Sequence, residues 1–525
     1  MLPRWLPLQR AAQTGEFSPT TRKILNPAKL RYLTGLKNHA DAVFQMTVAS
    51  WNQKRDIIEA QELVAAAVVY NVRNESVQDA ARLLLAEADL SASMRSVIAI
   101  AIGEKITKKD ANTGHMVADT QIKIALHKKR LQLNPHDALS AAEMALFYTY
   151  LGQSTQARLA LERASISAPD SRYVLRAIAR FSAHEGDPEV GLHYLHRSAR
   201  SDVDPWLLSA KLSLSRHIGQ SPTNWRKSKL LANDENFHPR SVSELSAQLA
   251  TFSADSGSKK QTVRMLDRSV ISPTENTLAQ LEHIDRKFSL GFSERVIDAQ
   301  LPASDEATAH RMLSLGQLPL AIDACRAWSE LEPFSSSPAI FGSFIASIKE
   351  TYATDGIALI DNALTSNPFD ETLLNNKAVL LSLNDDPQAA LKCLEKFSAN
   401  EEDSGVSYSA TTGLIQMRLG NLDEGISHYE QAILTAKAKR QPLVALRAFL
   451  YFSREIIRLD PASKNGVLRI ISTSFEKLER AKVRPPVDLE LLREIVEKIA
   501  EQSDTVSGPA AVGTIVNPID VADLN

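Results

Sequence analysis

The small and apolar residues of this chain recur in a fixed phrase. Gly152 is followed at offsets five, nine and twelve by Ala157, Leu161 and Ala164, and at seventeen by Pro169. The same offsets counted from Gly316 reach Ala321, Cys325, Trp328 and Pro333. From Gly420 they reach Gly425, Tyr429 and Ala432, from Gly257 Thr262, Leu266 and Ser269, and from Gly186 Gly191, Leu195 and Ser198. Steps of four and three lay these positions along one face of a helix. A second small residue stands seven places before each glycine, at Ala145, Ala179, Ala250, Ala309 and Gly413. The pattern predicts pairs of helices joined at the glycine, with small residues where the axes cross so that the backbones approach closely. The alternation of apolar and polar residues that marks half-buried strands is hard to find.

Prolines keep the same period. Pro135, Pro169, Pro205, Pro239 and Pro273 stand 34, 36, 34 and 34 residues apart, and Pro333 to Pro368 is a step of 35. A proline just past a helix stops it, so these positions mark regularly spaced helix ends. The glycine suits the left-handed backbone that closes a helix. Taken together, the small, Leu-Gly, Ala, aromatic, Ala and Pro landmarks resemble the tetratricopeptide repeat. Copies at 138–171, 302–333 and 406–437 carry them best; those at 172–205, 206–239, 240–273, 337–368 and 371–398 are weaker, the last with Ala390, Leu394 and Phe397 at the landmark sites. The tryptophan usual near the start of the first helix is absent from most copies. The resemblance implies an all-α fold, an α-solenoid of antiparallel helix pairs. It also implies a protein-binding scaffold or adaptor, not an enzyme, with the first helices lining a concave face for extended peptides or partner helices. A regulatory or sensor subunit controlling a separate effector is the alternative, and an enzyme with its site in 27–134 a remote one.

The flanks complete the organisation. Residues 1–26 form a basic N-terminal segment. Residues 27–134 read as a helical region, with Val77, Ala80, Leu84 and Ala88 on one helix face, either decayed repeats or a separate domain. The repeat array spans 135–440. Residues 441–502 read as capping helices, at Pro442–Leu459, Gly466–Lys482 and Val487–Gln502, because a solenoid needs a polar-faced cap over its last core face. Residues 503–525 lack a helical pattern and read as a flexible tail.

Charge and cysteine content narrow the function classes. Formal net charge is −2, which argues against a nucleic-acid protein, and no nucleic-acid partner is expected. The distribution is uneven: Arg4, Arg10, Arg22, Lys23, Lys29, Arg31 and Lys37 face only Glu16 at the start, while acids such as Asp385-Asp386 and Glu401-Glu402-Asp403 dominate 350–425. Beside two solvated faces, the contrast between a basic end and a later acidic stretch suggests electrostatic docking of a partner or of a second copy, hence self-association. Cys325 and Cys393 are too few for a disulfide framework and stand at or beside core landmarks. No signal peptide or spanning segment is read, so the expected location is cytoplasmic.

Chemistry-bearing motifs are thin. HExxH, GxxxxGK[ST] and GxGxxG do not occur, and no cofactor or metal is expected. His193 and His196, three apart, lack a third ligand and read as structural or surface residues. Ser256-Gly-Ser-Lys259 fits SxxK without its companion motifs. Trp225-Arg-Lys-Ser-Lys229 mixes an aromatic with bases but reads as a solvated helix start. One pattern does suggest a site. Arg172, Arg176, Arg180 and His184 share a helix face, and Arg216 and His217 extend it in the next copy. Guanidinium groups bind carboxylates bidentately, so the expected ligand is an acidic segment or a C-terminal carboxylate.

Overall fold

The computed structural model describes residues 36–87, 90–220, 224–288, 290, 304–395, 405–503 and 518–519. The basic segment 1–26, Ala88, Phe397 and Glu401-Glu402-Asp403 lie outside them. Among the described residues the long elements are all α-helices and no strand occurs. The chain forms two compact units, Met1–Thr277 and Leu278–Asn525.

Unit 1 opens with α1 (Leu36–Lys54), α2 (Ile57–Tyr70), α3 (Glu75–Leu85), α4 (Ala92–Ile102) and α5 (Lys108–Leu133). Helix α2 is apolar almost all round and serves as a hub against α1, α3, α4 and α5. Its two buried acids, Glu59 and Glu62, are paired with Lys54 and Lys128. Val77, Ala80 and Leu84 are buried together. Hub packing of this kind differs from the side-by-side pairs that follow.

Those pairs are α6 (Ala138–Tyr150) with α7 (Ser154–Ser167), α8 (Arg172–His184) with α9 (Pro188–Arg197), α10 (Pro205–His217) with α11 (Trp225–Asn233), and α12 (Pro239–Asp255) with α13 (Lys259–Ser269). The division between the units falls within α14 (Glu275–Phe288). Asp137 caps α6 by accepting from the Ser140 N–H at 3.0 Å, and that bond holds its carboxyl below the ordinary range. Pro205 and Pro239 end one pair and also open the next first helix, where a missing N–H costs nothing.

Unit 2 continues with α15 (Asp305–Ser314) and α16 (Leu318–Leu331), α17 (Ser337–Ile348) and α18 (Ala353–Ser366), α19 (Glu371–Leu383) and α20 (Pro387–Leu394), then α21 (Val406–Leu419) and α22 (Leu422–Ala438). Helices α23 (Pro442–Leu459), α24 (Lys464–Arg480) and α25 (Val487–Gln502) follow. Helix α23 packs on α21 and α22 as a further first helix would, with Leu446, Phe449, Leu450 and Ile456 wholly buried. Helix α25 turns back and meets α15 and α17 as well as α23 and α24, burying Leu489, Leu492 and Val496. Its contacts thus reach the first helices of this unit, beyond the last core face. Within the expected flexible tail, Pro518 and Ile519 are buried, and the Ile519 carbonyl accepts from Lys477 Nζ at 2.6 Å.

The small-residue logic holds at each crossing. Ala157, Ala164, Leu195, Leu266, Ala321, Cys325, Ala390 and Ala432 are all buried, as are Ala145, Ala179, Ala250, Ala309 and Gly413 opposite them. Each buried Leu or Ile at these sites contributes roughly 2 kcal/mol by leaving water. At the Gly413–Gly425 crossing the fit is closest: a Cβ on Gly425 would lie 2.3 Å from Met417 Cγ and 3.0 Å from the Gly413 carbonyl oxygen. The turn glycines Gly152, Gly186, Gly257, Gly316 and Gly420 all have positive φ. In the copy at 371–398 the same place is held by Asp385, at φ 60°.

Candidate functional site

In unit 1 the first-helix face is cross-tied by charge. Arg176 of α8 passes over the Trp206 ring of α10, 5.0 Å from its centroid, and grips both oxygens of Glu244 on α12 at 2.9 and 3.4 Å. Glu244 also accepts from Thr274 Oγ1 at 3.1 Å. Arg172 Nε donates to Asp204 at 2.8 Å within an ion pair, and Asp204 at the same time caps α10 by accepting from the Trp206 N–H. Arg216 pairs with Asp255 at 2.9 Å. His184 sits 3.9 Å from Glu185, Arg180 is partly buried, and His217 is exposed. Of the row singled out in the sequence, three guanidiniums therefore hold carboxylates from later in the chain. Such charge-assisted pairs fix the register of successive helix pairs.

In unit 2 the first helices α17, α19, α21 and α23 surround a recess of about 310 Å³. Neighbours α17 and α19, α19 and α21, and α21 and α23 pack in turn. The ring closes where α23 meets α17: Tyr451 OH and Ser347 Oγ are 2.7 Å apart, Arg454 Nη1 donates to the Ser347 carbonyl at 3.2 Å, and Arg447 lies over the Phe344 ring. Below this seam a charge cluster locks the same helices. Arg418 of α21 pairs with Glu455 of α23 at 2.6 Å and with Glu350, just past α17, at 2.7 Å; Arg458 also holds Glu350. Burial pushes the Glu350 carboxyl up, but the Arg458, Arg454 and Arg418 guanidiniums outweigh it and hold it below the usual range.

The recess walls are apolar with polar groups mostly spent on one another. Phe344, Val379, Val406, Leu414 and Val444 supply the apolar surface. Asn376 Nδ2 donates to Ser343 Oγ at 3.0 Å, and Thr411 Oγ1 donates to the Ser407 carbonyl at 2.8 Å. Arg447, the charged side chain of the wall, is taken up by Asp488 of α25 at 2.7 Å. Asn375 differs: it is 8% exposed, and its Oδ1 has no hydrogen-bond partner among the described residues. Burial raises the phenols of Tyr429 and Tyr451, so both stay protonated.

Of this wall the sequence had singled out Tyr429, as a repeat landmark. A usable signal existed, since Ser343, Asn376, Ala410 and Val444 stand 33, 34 and 34 apart, the repeat's own period. The remaining candidates sit apart from the recess. His196 is held below the usual histidine range first by burial, and no cluster of three or more potential metal ligands occurs among the described residues. Ser256 Oγ donates to the Ser253 carbonyl at 3.0 Å, Lys229 lies over the Trp225 ring, and Trp225 meets Phe252 edge-on. Cys325 and Cys393 are free and buried, and burial pushes the Cys325 thiol up to about 12, an inert state.

No family model and no curated protein matches the chain. Among solved structures, a monomeric mutant of IFIT1 with Gppp-AAAA is similar at 14% identity over 69% of this chain and 91% of its own, with a TM-score of 0.34. Yeast Tom70 is similar at 14% identity over 91% of this chain and 96% of its own, with a TM-score of 0.29. The fold assignment rests on the helix pairs themselves. No helix among the described residues is long and apolar enough to cross a membrane.

Proposed function

We propose that this chain is a non-enzymatic binding protein of tetratricopeptide type, acting in the cytoplasm as a scaffold or adaptor that holds protein segments on its first-helix faces. The observation that carries the reading is the makeup of the unit 2 recess. Its wall offers hydroxyls, amides, two protonated phenols and one engaged guanidinium, which are groups for binding. Acid–base catalysis would need a side chain that titrates near the working pH. On the unit 1 face the proposed ligand is an acidic segment, taken by Arg172, Arg176, Arg180, His184, Arg216 and His217 in exchange for Asp204, Glu244 and Asp255. Titration of the full chain with an octaglutamate peptide tests this part. Binding should weaken several-fold with added salt and in an Arg172→Gln/Arg216→Gln double variant; equal affinity in all three conditions would remove the row from the reading. The scaffold role itself is tested by panning a random-peptide display library on the full chain. Enriched sequences that bind wild type and lose affinity in first-helix surface variants support it, and a library that returns none argues against it.

A second reading, a sensor subunit that controls a separate effector, is favoured by the recess being ringed on four sides by helices of one unit. A bound small molecule would bridge α17 and α23 and stiffen the ring. Limited proteolysis of the full chain with and without such a molecule would then differ in unit 2, and identical cleavage patterns would count against a sensor.

A further inference from the structure

We propose that the unit 2 recess is a binding site for a neutral, largely apolar small molecule that carries an amide-type N–H or a hydroxyl donor, with Asn375 Oδ1 as its acceptor. The inference deepens the sensor reading and rests on it, while peptide capture on the first-helix faces stands on its own.

Three properties of the wall select the ligand. The first is size: a dry engineered cavity of about 150 Å³ admits benzene, so 310 Å³ admits a ring with a substituent of several atoms. Charge is the second. Arg447 is neutralised by Asp488, and among the described residues no carboxylate, lysine or histidine lines the recess, so a charged ligand would be desolvated without a counter-charge there. The third is the polar inventory. Ser343, Ser347, Asn376, Thr411 and Tyr451 are committed to one another or to wall carbonyls. Asn375 lines the recess, and its Oδ1 is occluded and has no donor among the described residues, so a turn of the side chain that brings it to a ligand N–H or O–H relieves a costly buried acceptor. Phe344 and Tyr451, on the neighbouring helices α17 and α23, add two aromatic rings to the wall.

The test uses two neutral probes of like shape that differ by one donor, acetanilide and its ester isostere phenyl acetate, titrated into the full chain by ligand-detected NMR. Wild type should bind acetanilide with an affinity of about 1 mM or tighter, as expected for a probe of this size. It should bind the ester roughly tenfold more weakly, the value of one net hydrogen bond. Asn375→Leu should bring the two probes to equal affinity. Ala410→Trp, which fills the recess from α21, should abolish both, and Val379→Phe serves the same end from α19 should the tryptophan variant fail to fold. Equal affinity of the two probes for wild type, no binding up to their solubility limits, or binding that survives the filled recess would each overturn the proposal. A negative result here leaves the peptide-panning outcome untouched, so the two readings fail separately.

Discussion

In unit 1 the first helices are joined by charge, Arg176 reaching past α10 to Glu244 and Arg172 holding Asp204, whereas in unit 2 the first helices α17, α19, α21 and α23 face one another across an apolar recess and keep their charges at its edge. Both units use the same small residues at the crossings. The landmarks thus dictate how two helices pair, and leave the exposed side of the first helix free to carry either chemistry. Where charges bridge consecutive pairs, the face is spent on holding the stack. Where they are gathered into one cluster around Arg418, a space remains.

The largest expected effect comes from breaking a crossing. Ala157 is wholly buried, and Ala157→Arg would place an unpaired charge between α6 and α7, at a cost of about 4 kcal/mol. Hydrogen exchange resolved by peptide should show unit 1 losing protection outward from that pair, while peptides of unit 2 keep theirs. Protection lost equally in both units would mean that the comparison drawn between them is false. Next comes the charge cluster. Arg418→Ala strips Glu455 and Glu350 of a partner in a half-buried site and should cost about 3 kcal/mol in the unit 2 transition, read by denaturant melts.

The same cluster gives unit 2 a pH signature. Because Glu350 is held below its ordinary value of 4.5, its contribution is complete above that pH and is lost as pH falls through the depressed value. Acid melts should therefore weaken unit 2 below about pH 4.5. The Arg418→Ala protein, already missing one of the guanidiniums, should show a shallower dependence. A variant with the same slope as wild type would break the assigned cause.

How much of this could be read from the chain follows from the range of the contacts involved. The pairing rule was legible because it is local: Gly152 to Ala157 to Leu161 lies within one hairpin, and every glycine so chosen has the backbone expected of it. The partners of the arginine row were not, since Glu244 is 68 residues from Arg176 and nothing in a periodic pattern says which acid will arrive. The recess was legible only in part. Its wall positions repeat with the period, but its closure depends on Ser347 meeting Tyr451, 104 residues later. The return of α25 onto α15 and α17 was hidden for the same reason, as an amphipathic stripe says that a helix is covered without saying by what.

The smallest effects concern the turn, where the copies differ by a single residue. Gly420 stands at φ 91° and Asp385 holds the equivalent place at φ 60°. A side chain in the left-handed region costs roughly 1–2 kcal/mol, less for Asp than for most residues because its short polar group can bond locally. Gly420→Ala should therefore destabilise unit 2 by about 1 kcal/mol. Asp385→Gly relieves strain but gives up the pair between Arg418 and Asp385, whose carboxylate is 88% exposed and so adds little. It also loosens the unfolded chain, which offsets part of the relief. The net gain should stay below about 0.5 kcal/mol, measured as a small rise in the unit 2 midpoint. If Asp385→Gly instead destabilised the unit, the Arg418 contact would be worth more than its exposure allows, and the cluster would have to be redrawn to include the turn.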